Sequence, residues 1–172
     1  MKHPKTHTGL VFLLVLLSGI ALHFLYDLVP IFPCSILAPV NESLFQHSKL
    51  LFWPVLLGAF WLKKWDGASM KPRLLGVLVS TVLLLAGGWL YHITLGGDAL
   101  WVDILLYLVT ITLAFVGIPR LCPAHPAGRG WDAVVYAFFL LAVALVLFTF
   151  WPPNHLLFTD LSGANTWTTL PC

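Results

Sequence analysis

The stretch Leu10–Tyr26, LVFLLVLLSGIALHFLY, decides the fold, because it contains no Asp, Glu, Lys or Arg. A helix needs roughly 20 mostly apolar residues to cross the hydrocarbon core of a bilayer. Similar runs follow, so the candidate spans are residues 10–28, 44–62, 74–92, 100–118 and 133–151. The runs are continuous and lack the alternation typical of strands. The sequence therefore predicts one all-α domain over residues 1–172, an integral membrane bundle of about five transmembrane helices.

The composition agrees with a membrane location. Hydrophobic residues make up 59% of the chain and charged residues only 9%, whereas roughly a quarter of an average soluble domain is charged. So little charge cannot cover a surface that faces water, and we expect membrane lipids to cover it instead. The net charge of +2 and the lack of a basic stripe with interleaved aromatic residues argue against a nucleic-acid partner.

The basic residues predict the orientation of the bundle, because cytoplasmic loops are enriched in Lys and Arg. With five spans, the N-terminus and the second and fourth loops lie on one side. That side holds eight of the nine basic residues: Lys2, Lys5, Lys63, Lys64, Lys71, Arg73, Arg120 and Arg129. We therefore expect the N-terminus to be cytoplasmic and the C-terminus extracytoplasmic.

The first span also has features of a secretory signal peptide, since Lys2 and Lys5 precede it and small residues occur near its end. However, the apolar run continues into His23 and Asp27 without a clean cleavage pattern. We therefore interpret it as a transmembrane helix.

Under this topology, histidines and carboxylates collect near the outer face. His23 and Asp27 are four residues apart and share a helix face, as do Ser43 and His47. Ionisable groups at membrane depth usually face a bundle interior or a water-filled cavity. The candidate metal ligands are His23, Asp27, His47, His92 and His155. Histidine and carboxylate ligands suit a divalent metal such as zinc.

The same cluster supplies candidate catalytic residues. Glu42 would act as the general base, and Ser43, His47 and Asp27 complete the catalytic set. Structural roles remain open for several of these residues. Asn41 would serve as a helix N-cap with Glu42 in the first turn, and His23 and Asp27 would form a pair that joins two helices. His92 would be an interfacial residue and His155 a tail residue.

Two cysteines fall on the predicted outer side. Cys34 lies in the first outer loop and Cys172 at the C-terminus. An oxidising exterior would permit a disulfide between them, which would close the tail over the polar site. Two separate thiols are the alternative.

The segment from Ala38 to Pro54, APVNESLFQHSKLLFWP, resembles the hallmark of a small family of uncharacterised bacterial multi-pass membrane proteins. The family pattern is approximately S-P-V-N-E-S-x-W-E-H-x-K-L-x-F-x-P. This sequence departs from it at Ala38, Phe45 and Gln46, so a mechanism that needs a carboxylate at position 46 does not apply. The resemblance implies a bacterial inner-membrane location and carries no known activity or cofactor.

Three classes of function fit these observations. The first is an outward-facing, metal-dependent membrane hydrolase or transferase, which loosely resembles the zinc sites of seven-span ceramidase-like hydrolases but lacks their H-x-x-x-H motif. The second is a non-catalytic accessory subunit, for which eight Trp and twelve Phe offer packing surface to a membrane protein partner or a homo-oligomer. The third is an ion- or cofactor-binding or transport protein.

Overall fold

The computed structural model describes residues 7–162. Eight α-helices are present in this range: α1 (Thr8–Leu28), α2 (Phe32–Leu37), α3 (Leu44–His47), α4 (Lys49–Asp66), α5 (Lys71–Gly88), α6 (Leu100–Thr112), α7 (Ile118–Leu121) and α8 (Arg129–Phe150). A π-helical segment, Trp89–Thr94, extends α5, and a second, Leu113–Gly117, joins α6 to α7. A 3-10 turn at Leu156–Phe158 follows α8. The prediction of an all-helical bundle is confirmed.

Four helical segments are long and apolar enough to cross a membrane: Thr8–Leu28, Lys71–Thr94, Leu100–Leu121 and Arg129–Phe150. Within their most apolar stretches, only 17% of the first and 11% of the last are buried. Large apolar side chains therefore cover the outside of the bundle, among them Leu17, Phe139 and Leu140. Soluble monomers rarely expose apolar patches of this extent, and lipid tails would solvate them. These four segments indicate an integral membrane protein.

The predicted span at 44–62 differs from the structure. Ser48 separates the short α3 from α4, and α4 contains Lys49, Lys63, Lys64 and Asp66. Because of these charges, α4 is not among the helices that are apolar enough to cross a membrane. Four segments therefore meet that criterion, whereas the sequence predicted about five spans. Nine of its 18 residues are nevertheless buried, because α4 packs between α1 and α5.

The contact between α1 and α4 depends on Gly19. Pro54 has no N–H, so it leaves the carbonyl of Leu50 without its helical donor. A Cβ at position 19 would lie 3.0 Å from that carbonyl oxygen and would overlap the hydroxyl of Tyr107. Tyr107 in turn donates a hydrogen bond to the Leu16 carbonyl at 3.2 Å. The missing side chain therefore lets α1, α4 and α6 meet, and α4 continues as a helix past Pro54.

A second glycine brings α5 against the π-helical segment that follows α6. A Cβ on Gly76 would overlap the backbone carbonyl of Ala114, so the two backbones touch. Nearby, the guanidinium of Arg73 lies 5.0 Å from the centre of the Phe115 ring. Phe115 is fully buried, which places this contact in the core of the bundle.

Polar contacts mark the two ends of the bundle. At one end, His7 Nδ1 lies 2.8 Å from Asp66 Oδ1, which joins the start of α1 to the end of α4. Lys71 Nζ lies 3.1 Å from Asp132 Oδ1 at the same end and joins α5 to α8. The candidate site lies at the other end, where α1 finishes and α4 begins.

Candidate metal centre

Three residues from three parts of the chain meet at this end. His23 lies near the end of α1, Glu42 precedes α3, and His47 is the last residue of α3. One ligand atom from each residue can be chosen so that all three lie within 4.8 Å of one another. The rings of His23 and His47 have centroids 5.5 Å apart.

The short helix α3 places His47. Ser43 is its N-cap, and its hydroxyl accepts a hydrogen bond from the Gln46 N–H at 3.4 Å. Asn41 Oδ1 accepts from the Ser43 N–H at 3.1 Å, so Asn41 forms the turn before the helix, while Ser43 caps it. The Ser43 carbonyl then accepts a hydrogen bond from His47 Nδ1 at 2.9 Å. This bond directs His47 Nε2 away from α3 and towards Glu42.

Glu42 and His47 form an ion pair, with Nε2 and Oε2 3.3 Å apart. The hydrogen bond with His47 lowers the pKa of Glu42 below its ordinary value, although burial opposes the shift. Burial alone would lower the pKa of His47, but hydrogen bonds to Glu42 and the Ser43 carbonyl, together with the charge of Glu42, raise it overall. In the metal-free protein both shifts favour the charged forms of the pair.

His23 brings an unused polar atom to the cluster. Its Nδ1 is buried and has no hydrogen-bond partner among residues 7–162. Buried polar atoms without partners are uncommon, and each one calls for an explanation such as a bound ion or water. A bound metal or water at this position would satisfy the imidazole.

The segment after α8 covers the centre. The backbone of Glu42 lies close enough to Asp160 to help lower the pKa of that carboxyl, although burial opposes the shift. Two residues earlier, the ring of Phe158 lies 4.7 Å from Phe45 and 5.4 Å from Phe148, measured between centroids. The contact between Phe45 and Phe158 joins this segment to α3, the helix that carries His47.

A fully buried lysine positions the loop that leads to Glu42. Lys49 has no exposed surface, and its Nζ donates to the carbonyls of Ser35 at 2.6 Å and Ala38 at 2.9 Å. One turn later, Trp53 Nε1 donates to the Ile36 carbonyl at 3.0 Å. These donors satisfy carbonyls at the C-terminal end of α2, where a helix favours positive charge.

Three of the five sequence-predicted ligands, Asp27, His92 and His155, lie outside the group of three. Asp27 is exposed, and His155 stacks on Trp89 with centroids 5.5 Å apart. His155 Nδ1 also accepts a hydrogen bond from the Leu157 N–H at 3.3 Å. Asp27 and His155 lie at the same end of the bundle as the cluster, but outside it.

His92, predicted as a metal ligand, pairs with a carboxylate instead. Its Nε2 lies 2.7 Å from Asp103 Oδ1, and its Nδ1 lies 2.9 Å from the Gly97 carbonyl. Asp103 and the Gly97 carbonyl engage the two ring nitrogens, and within residues 7–162 no third ligating side chain joins this pair. The pair with Asp103 was not predicted from the sequence, because it depends on how the segment after α5 meets α6.

Of the two cysteines predicted to form a disulfide, Cys34 lies in α2. Cys172 lies outside the described residues, so the disulfide stays a prediction.

Comparisons with known proteins give one match. Neither a curated protein nor a solved structure matches the chain. Residues 2–165 match the model of a family described as "Family of unknown function (DUF6512)", so the chain belongs to this uncharacterised family.

Proposed function

We propose that this membrane protein binds one divalent metal ion, with zinc as the best match, through His23, Glu42 and His47. We further propose that the metal supports a hydrolase or transferase reaction at the membrane surface. The observation that carries the proposal is the convergence of two imidazoles and one carboxylate within 4.8 Å. Two histidines and a glutamate, with water in the fourth position, form one of the recurring ligand sets of catalytic zinc.

The distances suit zinc once the three ligand atoms move slightly closer together. Tetrahedral zinc with bonds of 2.0–2.2 Å holds its ligand atoms about 3.4 Å apart. The 3.3 Å between His47 Nε2 and Glu42 Oε2 already matches that spacing. A rotation of the His23 side chain would bring its imidazole into the set.

The surroundings of His47 also resemble those of a metal ligand. Histidines that bind metals usually donate their second N–H to a carbonyl or carboxylate, which fixes the tautomer. The Ser43 carbonyl takes this role for His47 Nδ1 at 2.9 Å. Ser43 is then a positioning residue, and Glu42 is a ligand in place of the general base that the sequence suggested.

A site with three protein ligands leaves a coordination position open. Metal in such a site polarises a substrate carbonyl or phosphoryl oxygen and lowers the pKa of bound water. The site lies at one end of the bundle, so its substrates would approach from the membrane interface.

The orientation remains part of the proposal. We propose that the end with His7 and Lys71 is cytoplasmic, that the metal centre is extracytoplasmic, and that α4 crosses the membrane beside α1. Six basic residues near the adjoining ends of α4 and α5 and of α7 and α8 support this orientation. A bacterial inner membrane is the location that we propose.

The other two classes of function have less support. An accessory subunit would be favoured if the polar residues pointed to separate helix faces, but three of them converge. A transporter usually needs polar groups through the full depth, whereas Val15, Phe52, Val77 and Phe115 fill the middle of the bundle.

Elemental analysis of the detergent-purified chain after zinc loading and dialysis tests the proposal. We expect one zinc ion per chain, lost in His23→Ala and in His47→Ala. The matched controls are His92→Gln and His155→Ala, which should keep zinc. Absence of zinc from the wild-type chain, or its loss in His92→Gln but not in His47→Ala, would overturn the assignment. Circular dichroism of each variant separates loss of a ligand from loss of the fold.

A further inference from the structure

A groove runs along α1 and α4 on the side away from the metal centre. Its deeper part is a cavity of about 320 Å³ lined by residues that include Leu14, Ser18, Leu57 and Trp61. Its outer part, about 480 Å³, is lined by His7, Leu10, Lys64 and Trp65. His23 lies nine residues after Leu14, which places it on the opposite side of α1.

Helical spacing places the two cavities in line along the seam between α1 and α4. On α1, Leu10, Leu14 and Ser18 follow one another at intervals of four residues. On α4, Trp65, Trp61 and Leu57 do the same. Residues four apart lie on one helix face, so both walls continue from the outer cavity into the deeper one. The rings of Trp61 and Trp65 stack with centroids 5.9 Å apart.

The two ends of the groove differ in charge. His7 and Lys64 line the outer end, and only apolar side chains and Ser18 line the deeper end. Asp66, the nearby carboxylate, is engaged by His7 at 2.8 Å. Within residues 7–162, Lys64 has no carboxylate at salt-bridge distance, although Lys71 has Asp132. The outer end therefore offers a positive charge that is free to pair with an anion.

The length of the groove matches one leaflet. From His7 to Ser18 the helix rises about 16 Å, and half of a hydrocarbon core of roughly 30 Å is about 15 Å. Trp side chains are enriched at the membrane–water interface, which is where Trp65 and the charged end would lie.

From these features we infer that the α1/α4 groove binds one phospholipid with an anionic headgroup, which pairs with Lys64 while an acyl chain lies along Leu14, Leu57 and Trp61. This inference is independent of the metal proposal. Lipid held here would fill the gap between the two helices and stabilise their contact.

The test uses the full chain in nanodiscs made from equal parts of palmitoyl-oleoyl phosphatidylglycerol and the corresponding phosphatidylcholine. After exchange into detergent, native mass spectrometry counts the retained lipids. We expect one phosphatidylglycerol per wild-type chain. Lys64→Gln should reduce its retention about five-fold, as expected for one basic residue near a membrane surface. Ser18→Phe, which fills the groove, should abolish retention.

Matched controls separate a specific site from bulk lipid. Lys63→Gln removes the neighbouring charge outside the groove, and Leu140→Phe enlarges a lipid-facing side chain on α8. Both should retain phosphatidylglycerol as the wild type does. Equal retention of the two lipids, equal effects of Lys63→Gln and Lys64→Gln, or full retention by a folded Ser18→Phe would each overturn the inference.

Discussion

His47 lies between two acceptors, with Nδ1 2.9 Å from the Ser43 carbonyl and Nε2 3.3 Å from Glu42 Oε2. In the metal-free chain the ring pairs with the Glu42 carboxylate, and the raised pKa of His47 favours its imidazolium form. Replacing the Nε2 proton by a metal ion would keep the ring in place. His47 and Glu42 can therefore form an ion pair without metal and bind a metal ion together in the same geometry.

The ion pair predicts how stability depends on pH without metal. The raised pKa of His47 stabilises the fold below its ordinary value of 6.5 and loses effect as pH rises through the folded value. The lowered pKa of Glu42 stabilises the fold above 4.5 and loses effect as pH falls through the folded value. The difference in melting temperature between wild type and Glu42→Gln, measured with chelator, should be largest between pH 4.5 and 6.5. A partly exposed pair contributes up to about 1 kcal/mol, and a difference that is flat with pH would contradict the pairing.

Metal binding should have the opposite dependence on pH. Zinc must displace a proton from His47, so the affinity should rise with pH until the pH exceeds the raised pKa of that histidine. Calorimetric titrations in two buffers with different ionisation enthalpies measure the protons released. We expect release near pH 6, decreasing towards pH 8. Release that does not change over this range would indicate that His47 is not the titrating ligand.

Lys49→Met should destabilise the bundle by about 1–3 kcal/mol, because the Ser35 and Ala38 carbonyls lose their buried donor. Removing the buried charge of Lys49 offsets part of this loss of stability. Lys71→Met is the comparison, since its ion pair with Asp132 is partly exposed and contributes up to about 1 kcal/mol. Thermal unfolding in detergent measures both. A smaller effect for Lys49→Met than for Lys71→Met would show that the buried contacts do not support the fold.

Gly76→Ala should lower stability by about 1–3 kcal/mol. The new Cβ would overlap the Ala114 carbonyl, and a backbone group cannot move aside as a flexible side chain can. Gly9→Ala is the matched control, since nothing lies within 4 Å of a Cβ at that position. We expect its melting temperature to equal or exceed that of the wild type. Equal losses in the two variants would place the cause in the glycine substitution itself and not in the contact with Ala114.

Much of the fold follows from the sequence, because apolar runs long enough to span a bilayer have few other stable conformations. The helix Thr8–Leu28 lies where residues 10–28 were expected, and Arg129–Phe150 lies where 133–151 were expected. Lys49 shows the limit of this reasoning. A charge inside an apolar run argues against a span, but here two carbonyls from α2 satisfy it, and only the folded chain brings them together.

The site was predictable in part for a similar reason. The motif around residues 41–47 pointed to Glu42 and His47, and the depth of His23 pointed to the same end. The spacing of four residues between His23 and Asp27 suggested a pair, yet Asp27 is exposed and Glu42 takes the expected carboxylate position. Helical periodicity gives the face of one helix, whereas a carboxylate from another segment depends on tertiary packing.

X-ray absorption at the zinc edge of the zinc-loaded full chain tests the central claim most directly. We expect a shell of nitrogen and oxygen atoms at about 2.0–2.2 Å with two imidazoles, reduced to one imidazole in any His47→Ala protein that still holds zinc. Sulfur in the first shell, a shell without imidazole, or two imidazoles remaining in His47→Ala would contradict the assignment of His23, Glu42 and His47 as the metal ligands.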